Sequence, residues 1–210
     1  MKSLEKGECL SLFCQDRRYF RQLYGLISPD GERTMGTFLG PAPTITPDEI
    51  TEEMLSSYQC IYIEGYLLVN EELVRTTMQK AKKLGLKVAL DLSNFNIVNA
   101  FRGLLDDIIP QYVDILFSNE SEAEAFTGLK AHEAVKALSE QVEISLVTLG
   151  KEGAWWEAKG RLSQSRQKEV NRSTRRGLAI TLLPDSLRAV GRCNIGAVGP
   201  YRLAFGRLHH

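Results

Sequence analysis

The sequence has 210 residues, of which 43% are hydrophobic and 25% are charged. These proportions exclude an intrinsically disordered chain, and no apolar run approaches the roughly 20 residues of a membrane span. The four cysteines lack C-x-x-C spacing, and the first residues lack a signal-peptide pattern. We therefore expect no zinc site, no disulfide framework, no membrane partner and a cytoplasmic protein.

The balance of 26 basic and 26 acidic residues hides a regional difference in charge. Residues 25–160 hold 11 basic and 21 acidic side chains, whereas residues 161–210 hold ten basic and two acidic ones. Nine of those ten are arginine, and this tail has no sustained helical or strand periodicity. Nucleic-acid-binding arms cluster charge along a helix or interleave it with aromatic residues. The tail does neither, so we expect no nucleic-acid partner.

The predicted elements alternate between strands and helices. A hairpin over 24–28 and 34–39, joined by Pro29-Asp30-Gly31, comes first. The first helix is predicted to begin after an N-cap at Thr46, with Pro47 at the first helical position. Four further helices are predicted at 70–83, at 97–109 with an end at Pro110, at 121–126 and at 132–141. The strands are predicted at 60–63, 87–92, 113–117, 144–148 and 153–159. Strands separated by helices favour an α/β protein with a parallel sheet.

The carboxyl ends of the predicted parallel strands are rich in polar residues and glycine. Acidic, amide, hydroxyl and glycine residues occur there, at Glu64-Gly65, at Asp91, at 118–122 and at 148–151. Ligands of such sheets bind beyond the carboxyl ends of the strands. The pattern therefore predicts a binding site at this edge of the sheet.

Two interpretations are open for Asn119 and Glu122. An N-x-x-E sequence where a strand meets a helix can hold Mg²⁺, directly or through water, because both side chains leave one helical turn. The same spacing is a capping box, with asparagine as N-cap and glutamate three residues later. The two roles can coexist.

The other strand ends are equally ambiguous. Thr148-Leu149-Gly150 closes a strand, and the glycine lets backbone approach a phosphate or an adenine ring, yet it also suits a simple turn to the next strand. Asp91 can orient a substrate hydroxyl or a cation, but aspartate is also a common turn former.

Away from these ends, His132 is predicted at the surface. Trp155 and Trp156 are predicted to point to opposite faces of a strand, one in the core and one at its edge.

Five segments in order carry a family resemblance. They are I-S-P-D-G-E-R-T at 27–34, I-E-G-Y-L at 63–67, L-D-L-S-N-F-N at 90–96, F-S-N-E-S-E-A at 117–123 and V-T-L-G-K-E-G-A at 147–154. In these segments the sequence resembles the ribokinase-like (PfkB) carbohydrate kinases, and most of all their adenosine kinase-like bacterial branch. The resemblance implies a three-layer α/β sandwich, with a central, mostly parallel sheet, helices on both faces and a small β lid that includes residues 24–39. It also implies ATP-dependent phosphorylation of a hydroxyl of a small-molecule sugar or nucleoside, with Mg²⁺.

The resemblance also implies roles for individual residues. By position, Asn119 and Glu122 match the family's metal and phosphate motif, Thr148 and Gly150 match its nucleotide-binding T-x-G, and Asp91 matches a residue near the phosphates. A homodimer through the lid is possible, because the edge of a two-stranded lid offers unpaired backbone groups.

Two family features have no counterpart here. Residues 1–23 lack the glycine-pair motif that helps to bind substrate, and the D-T-T-G-A-G-D signature is missing. That signature supplies an anion hole and the aspartate that acts as general base, so we expect no catalytic residue and an inactive chain. The domain prediction is an unmatched segment 1–23, a partial kinase domain 24–160 and a tail 161–210 outside the family pattern.

The tail itself suggests why the signature is missing. A set of codons for D-T-T-G-A-G-D-Y-F-A-A-G-F, read one nucleotide later, encodes T-R-R-G-L-A-I-T-L-L-P-D-S, the sequence at 174–186. Our hypothesis is that the chain leaves the family's reading frame between Lys159 and Arg172.

Two other functions compete with an inactive kinase. One is a non-catalytic nucleotide- or sugar-binding remnant, for which Asn119, Glu122 and Thr148-Leu149-Gly150 suffice. The other is a phosphoreceiver domain with Asp91 as acceptor and Lys151 at a later strand end. That domain requires an acidic pair at the first strand end, where Glu64-Gly65 supplies one acid.

Overall fold

The computed structural model describes residues 10–11, 22–27, 33–38, 45–158, 160–165 and 203–206. The strands are β1 Leu10–Ser11, β2 Gln22–Ile27, β3 Arg33–Phe38, β4 Cys60–Glu64, β5 Lys87–Asp91, β6 Ile115–Asn119, β7 Ile144–Thr148, β8 Ala154–Ala158, β9 Arg161–Ser165 and β10 Leu203–Gly206. The helices are α1 Glu52–Ser56, α2 Glu71–Lys83, α3 Phe95–Ala100, α4 Arg102–Tyr112, α5 Glu120–Thr127 and α6 Ala131–Ser139. Within these residues, no helix is long and apolar enough to cross a bilayer.

Eight of the strands form one mixed sheet in the order β1-β10-β4-β5-β6-β7-β8-β9. Strands β4 to β7 are parallel, as the alternation of strands and helices predicts, while β8, β9 and β10 pair antiparallel. The predicted mostly parallel α/β fold is confirmed.

The predicted hairpin is a separate two-stranded sheet. Strands β2 and β3 pair antiparallel, with Gln22 opposite Phe38 and Ile27 opposite Arg33. The predicted Pro29-Asp30-Gly31 turn lies outside the described residues, as do Ser28 and Leu39. The roles of this hairpin as a lid and as a dimer contact stay predictions.

Helix α2 shows how the local sequence sets its ends. The Asn70 side chain accepts a hydrogen bond from the Leu73 backbone N–H and so caps the first turn. Gly85 follows the last turn with φ of 75°, a conformation that glycine adopts without steric cost. The predicted helix over 70–83 is therefore confirmed within one residue.

Two helix predictions are wrong in detail. The predicted single helix over 97–109 is two helices, α3 and α4, because Phe101 between them leaves helical geometry at φ of −112° and ψ of 24°. Pro110 lies inside α4 and does not end it. It removes one backbone donor near the helix end, on the exposed side.

The helix predicted to begin at Thr46 is also divided. Thr46 caps a 3-10 turn, Pro47–Glu49, and α1 then begins separately after its own cap at Thr51. The Thr51 hydroxyl accepts a hydrogen bond from Met54 N at 3.2 Å, and this second cap fixes the start of α1.

The two faces of the sheet differ in what packs on them. On the first face, Ile61, Ile63, Val88, Leu90, Leu116 and Val147 join one core cluster with the apolar side chains of α1 to α6. On the second face, a separate cluster consists of strand residues alone: Cys60, Ala89, Ile115, Phe117, Ile144, Leu146, Ala154, Trp156 and Ala158. The described helices thus supply one of the two helical layers implied by the family resemblance.

The two tryptophans point to opposite faces, as predicted. Trp155 packs on the first-face cluster, and Trp156 belongs to the second-face cluster. His132 is exposed, as predicted, but its ring stands edge-on to Trp155 with 4.9 Å between ring centroids. Trp156 is buried in its cluster, whereas Trp155 is only partly buried against the other, so one ring lies in the core and one at its edge, as predicted.

Candidate active site

Polar residues converge at the carboxyl ends of the four parallel strands. The register places Glu64 beside Asp91 and Asn119 beside Thr148. This convergence confirms the predicted clustering at one edge of the sheet, which is where open parallel sheets bind ligands.

Gly65 and Ser93 bring the ends of β4 and β5 into close contact. The Gly65 backbone N–H donates to Ser93 Oγ at 2.8 Å. A Cβ atom at Gly65 would lie 2.7 Å from the Leu92 carbonyl oxygen and 2.9 Å from that of Asp91. Ser93 itself has φ of 65°, which costs a residue with a side chain about 1–2 kcal/mol. A glycine is therefore required at position 65 for the two strand ends to meet.

Replacement of Gly65 by alanine is expected to destabilise the protein by about 1–3 kcal/mol, because its Cβ collides with backbone. Gly103→Ala is the matched control, since nothing lies within 4 Å of a Cβ there and Gly103 sits inside α4. That control is expected to gain about 0.5–1 kcal/mol from the lower backbone entropy of the unfolded chain. Urea unfolding of both variants measures the difference, and equal effects would contradict the close approach.

Asp91 is held by two hydrogen bonds. Its Oδ2 accepts from the Tyr62 hydroxyl at 2.6 Å, and its Oδ1 accepts from the Ser93 backbone N–H at 2.8 Å. Burial raises the pKa of this carboxyl, against the lowering effect of both hydrogen bonds. The bond to Ser93 is the turn-forming role that the sequence left open, and a role near phosphates stays a prediction.

Asn119 and Glu122 form the capping box that their spacing predicts. Glu122 N donates to Asn119 Oδ1 at 2.9 Å, while the backbone N–H and the Nδ2 group of Asn119 donate to the two carboxylate oxygens of Glu122 at 2.8 and 2.7 Å. The Glu122 residue is 4% exposed. Burial raises its pKa to about 7, the backbone N–H of Asn119 lowers it, and the nearby charge of Asp91 raises it further.

The capping role leaves room for a metal. Each carboxylate oxygen of Glu122 accepts one hydrogen bond and keeps acceptor capacity, and Asn119 is exposed. Within residues 45–158 and the shorter described segments, no group of three or more His, Cys, Asp or Glu is arranged to hold a metal ion. Mg²⁺ often binds through only one or two protein oxygens, with water and phosphate completing its shell. The pair therefore fits Mg²⁺ bound together with a phosphate ligand.

Thr148 and Gly150 lie where β7 leaves the sheet. The Thr148 hydroxyl donates to the Ser118 carbonyl oxygen at 3.3 Å, and Gly150 begins a 3-10 turn that leads to β8. Gly150 has φ of 56°, and apart from its own residue and its two chain neighbours no atom lies within 4 Å of where its Cβ would be. The turn is thus confirmed, and the backbone at Gly150 is open to an approaching ligand.

Three further residues belong to this edge and carried no assigned role in the sequence. Tyr66 is hydrogen-bonded to the Asn94 side chain, and its pKa is raised by burial and then by the charges of Glu122 and Glu64. Phe95, which follows Asn94, is 46% exposed. Their positions in the sequence could have identified them as site residues, because all three lie inside the segments that carry the family resemblance.

The fold and this edge define the class of protein: an α/β protein with a mostly parallel sheet and a polar site at its carboxyl edge. The model of the pfkB family of carbohydrate kinases matches residues 22–171, which is more than half of the chain. The chain belongs to this family.

Individual proteins agree with that assignment. Adenosine kinase of Saccharomyces cerevisiae is 32% identical over 97 residues, which cover 45% of this chain and 28% of that enzyme. The structure of adenosine kinase from Sinorhizobium meliloti superposes with a TM-score of 0.65 at 24% identity, over 72% of this chain and 48% of that one. A ribokinase II from E. coli, solved with ATP and Mg²⁺, gives 0.59 at 16% identity, over 67% of this chain and 49% of that one. The chain spans about half the length of these two solved structures.

Proposed function

We propose that this chain descends from a kinase that transfers phosphate from ATP to a hydroxyl of a sugar or nucleoside, and that the chain binds nucleotide without catalysing transfer. The observation that carries the proposal is the convergence of Asp91, the Asn119–Glu122 pair and the Thr148–Gly150 turn at one edge of the sheet. These are the positions that the family resemblance assigns to phosphate, metal and nucleotide.

Each of these groups has a role that its geometry permits. Asn119 and Glu122 would hold Mg²⁺ through oxygen atoms, and Mg²⁺ would neutralise charge on the nucleotide phosphates. The open backbone at Gly150 would let the nucleotide approach closely. Glu122 has a raised pKa, and a bound cation favours its ionised form.

The absence of phosphoryl transfer rests on the sequence. None of the 210 residues supplies the D-T-T-G-A-G-D signature, and with it the general base and anion hole of the family. The codon argument points to residues 174–186, which lie outside the described residues. The family match ends at residue 171, inside the interval 159–172 where we place the change of frame. Sequencing the coding DNA tests this, because removing or adding one base in that interval should restore G-A-G-D.

The acceptor class has structural support of its own. Phe95 is 46% exposed and follows Asn94, whose side chain is hydrogen-bonded to Tyr66, and an exposed aromatic ring offers a stacking surface to a nucleobase. A sugar without a base would gain less from such a ring. Together with the likeness to two adenosine kinases, this favours a nucleoside over a free sugar as the acceptor.

Calorimetric titration of MgATP into the chain is expected to show saturable binding, while a coupled assay with adenosine shows no phosphate transfer. Gly150→Val should abolish most of the binding, because its side chain occupies the space through which nucleotide approaches. Gly160→Val is the matched control, since Gly160 also has positive φ and open space but lies in the turn between β8 and β9.

Three outcomes would change the proposal. No heat with MgATP in the parent chain would refute nucleotide binding. Measurable transfer would refute inactivity while supporting the kinase class. Binding of ribose without any binding of ATP would favour the sugar-binding remnant.

A further inference from the structure

Phe95 is an exposed aromatic residue at the carboxyl edge of the sheet. Among the described residues, the large apolar side chains that are exposed are those of Val69, Phe95 and Leu129, and Phe95 is the aromatic one of the three. It is the first residue of α3, and it directly follows Ser93 and Asn94, which join β5 to that helix. Two hydrogen bonds restrain the backbone just before it.

The first restraint joins Ser93 to the turn that follows β4. The Gly65 backbone N–H donates to Ser93 Oγ at 2.8 Å, and the Ser93 hydroxyl donates to the Asp91 carbonyl oxygen at 3.2 Å. Ser93 has φ of 65°, and a residue other than glycine keeps this conformation only where its surroundings hold it. The hydroxyl therefore ties the chain before Phe95 to the 3-10 turn Gly65–Val69.

The second restraint lies one residue further along both segments. Asn94 caps α3, because its Oδ1 accepts from the Asn96 backbone N–H at 2.8 Å, and the same side chain is hydrogen-bonded to Tyr66. The two bridges are thus consecutive on both sides, at 65–66 and at 93–94. Two successive bridges fix the direction of one segment relative to the other, and Phe95 is the next residue after the second bridge.

Both bridged segments are anchored in the core. Leu67 and Leu68 of the 3-10 turn are buried in the first-face cluster, and so is Val98 of α3. A shift of the Phe95 backbone would therefore have to break a bridge or disturb this packing. An exposed ring on a restrained backbone is a preorganised stacking surface, because little ordering entropy is left to lose when a ligand binds.

We propose that Ser93 and Tyr66 are positioning residues for nucleoside binding, and that their bridges to Gly65 and Asn94 hold Phe95 where its ring stacks on the base. This inference rests on the proposed function and specifies how the chain recognises the nucleoside. Neither residue has to touch the ligand, because the effect passes through Phe95. The ligand class is one with an aromatic base, since a free sugar has no ring system to stack.

Calorimetric titration of adenosine into the chain, saturated with Mg²⁺ and a non-hydrolysable ATP analogue, tests this inference. The analogue fills the nucleotide site, so the heat reports on the nucleoside site. Tyr66→Phe removes the hydroxyl and keeps the ring, and it is expected to weaken adenosine binding about three- to tenfold. Affinity for the analogue should stay within about twofold of the parent's, because the bridge acts on Phe95.

Tyr112→Phe is the matched control for this variant. The Tyr112 hydroxyl also has an amide partner, because Gln79 Nε2 donates to it at 3.4 Å. It lies at the end of α4, shortly before β6 begins, and so at the opposite edge of the sheet. The control is expected to change neither affinity.

A Phe95→Leu background shows whether the two residues act through Phe95. This substitution should weaken adenosine binding by itself, and neither Tyr66→Phe nor Ser93→Gly should cause a further loss in that background. Ser93→Gly removes the hydroxyl bridge, while glycine adopts φ of 65° without steric cost, so the variant is expected to stay folded. A general structural defect would instead weaken binding equally in both backgrounds.

Several results would overturn the inference. Unchanged adenosine affinity in Tyr66→Phe or Ser93→Gly would refute the positioning role of that residue, and unchanged affinity in Phe95→Leu would refute stacking. Equal losses in the two backgrounds, or an equal loss of affinity for the analogue, would refute action through Phe95. If the analogue binds and adenosine gives no heat, this inference fails while nucleotide binding stands. If the analogue does not bind, the proposed function fails as well.

Discussion

Replacement of Asp114 by alanine is expected to lower the free energy of unfolding by about 2–4 kcal/mol. The Asp114 side chain is 7% exposed and lies at the amino-terminal edge of the sheet. Its oxygens accept hydrogen bonds from Lys82 Nζ at 2.9 and 2.8 Å, from Lys87 Nζ at 3.1 Å and from the Val88 backbone N–H at 2.8 Å. The carboxylate therefore joins α2 to β5 at the start of β6.

The loss has an identifiable main source. Lys82 and Lys87 are 36% and 37% exposed in their side chains, so water can replace the carboxylate for them. The Val88 N–H belongs to a buried residue and would lose its partner, which carries most of the expected cost.

Asp106→Ala is the matched control for this prediction. Asp106 also pairs with a basic side chain, Arg102, but both are about half exposed, so the expected loss is below about 1 kcal/mol. Urea unfolding of the parent and both variants at low and high salt measures the difference. A loss for Asp114→Ala that is no larger than that for Asp106→Ala would contradict the structural role of the buried carboxylate.

Glu122 is expected to make the folded protein less stable as the pH rises from about 4.5 to about 7. Its pKa is raised from 4.5 to about 7, so the folded state keeps the proton over a range where the unfolded state has released it. The unfolding free energy therefore falls with increasing pH across this window and levels off above it. The shift corresponds to about 3 kcal/mol.

Glu122→Gln isolates this effect. Glutamine preserves a capping-box partner for Asn119 and carries no charge at any pH. In the absence of divalent cations, the variant is expected to be about 1–3 kcal/mol more stable than the parent at pH 8, and equal or slightly less stable at pH 4. Denaturant unfolding of both proteins across this pH range is the measurement. A constant difference between them at all pH values would show that Glu122 does not titrate as the buried environment requires.

Glu124→Gln serves as the control on the same helix. Glu124 is exposed and pairs with Lys130 at 2.6 Å, so its removal should change stability by less than about 1 kcal/mol with no crossing near neutral pH. The comparison separates burial of a carboxyl from the loss of a surface charge.

The sequence was sufficient for strands β4 to β8 of the sheet, because the signals for them are local, whereas β1, β9 and β10 were not predicted. Alternating apolar runs and amphipathic segments located β4 to β8 and α2, and the cap at Asn70 and the glycine at 85 marked the ends of α2. The parallel arrangement followed from the connections, and the parallel arrangement alone predicted that Glu64, Asp91, Asn119 and Thr148 would share one edge. The capping box at Asn119 could likewise be read from spacing.

Tertiary structure decided the properties that depend on contacts between distant segments. No local pattern shows that Gly65 must pass within van der Waals contact of the Leu92 carbonyl, or that Tyr62 donates to Asp91, 29 residues away. Pro110 stays inside α4, although its sequence pattern predicts a helix end, because the helix is continued by packing of its apolar face on the core. A helix signal in the sequence measures propensity, which tertiary packing can exceed.

The charge of the chain also shows which properties the sequence determines and which the tertiary structure decides. The sequence alone determined that an acidic body of residues 25–160 precedes an arginine-rich tail, because charge counts need no coordinates. Only the tertiary structure decided that Glu122 is buried with a raised pKa, and that all described helices pack on one face of the sheet while the other is also buried. Burial is a property of neighbours brought together by folding, and residues far apart in sequence supply those neighbours.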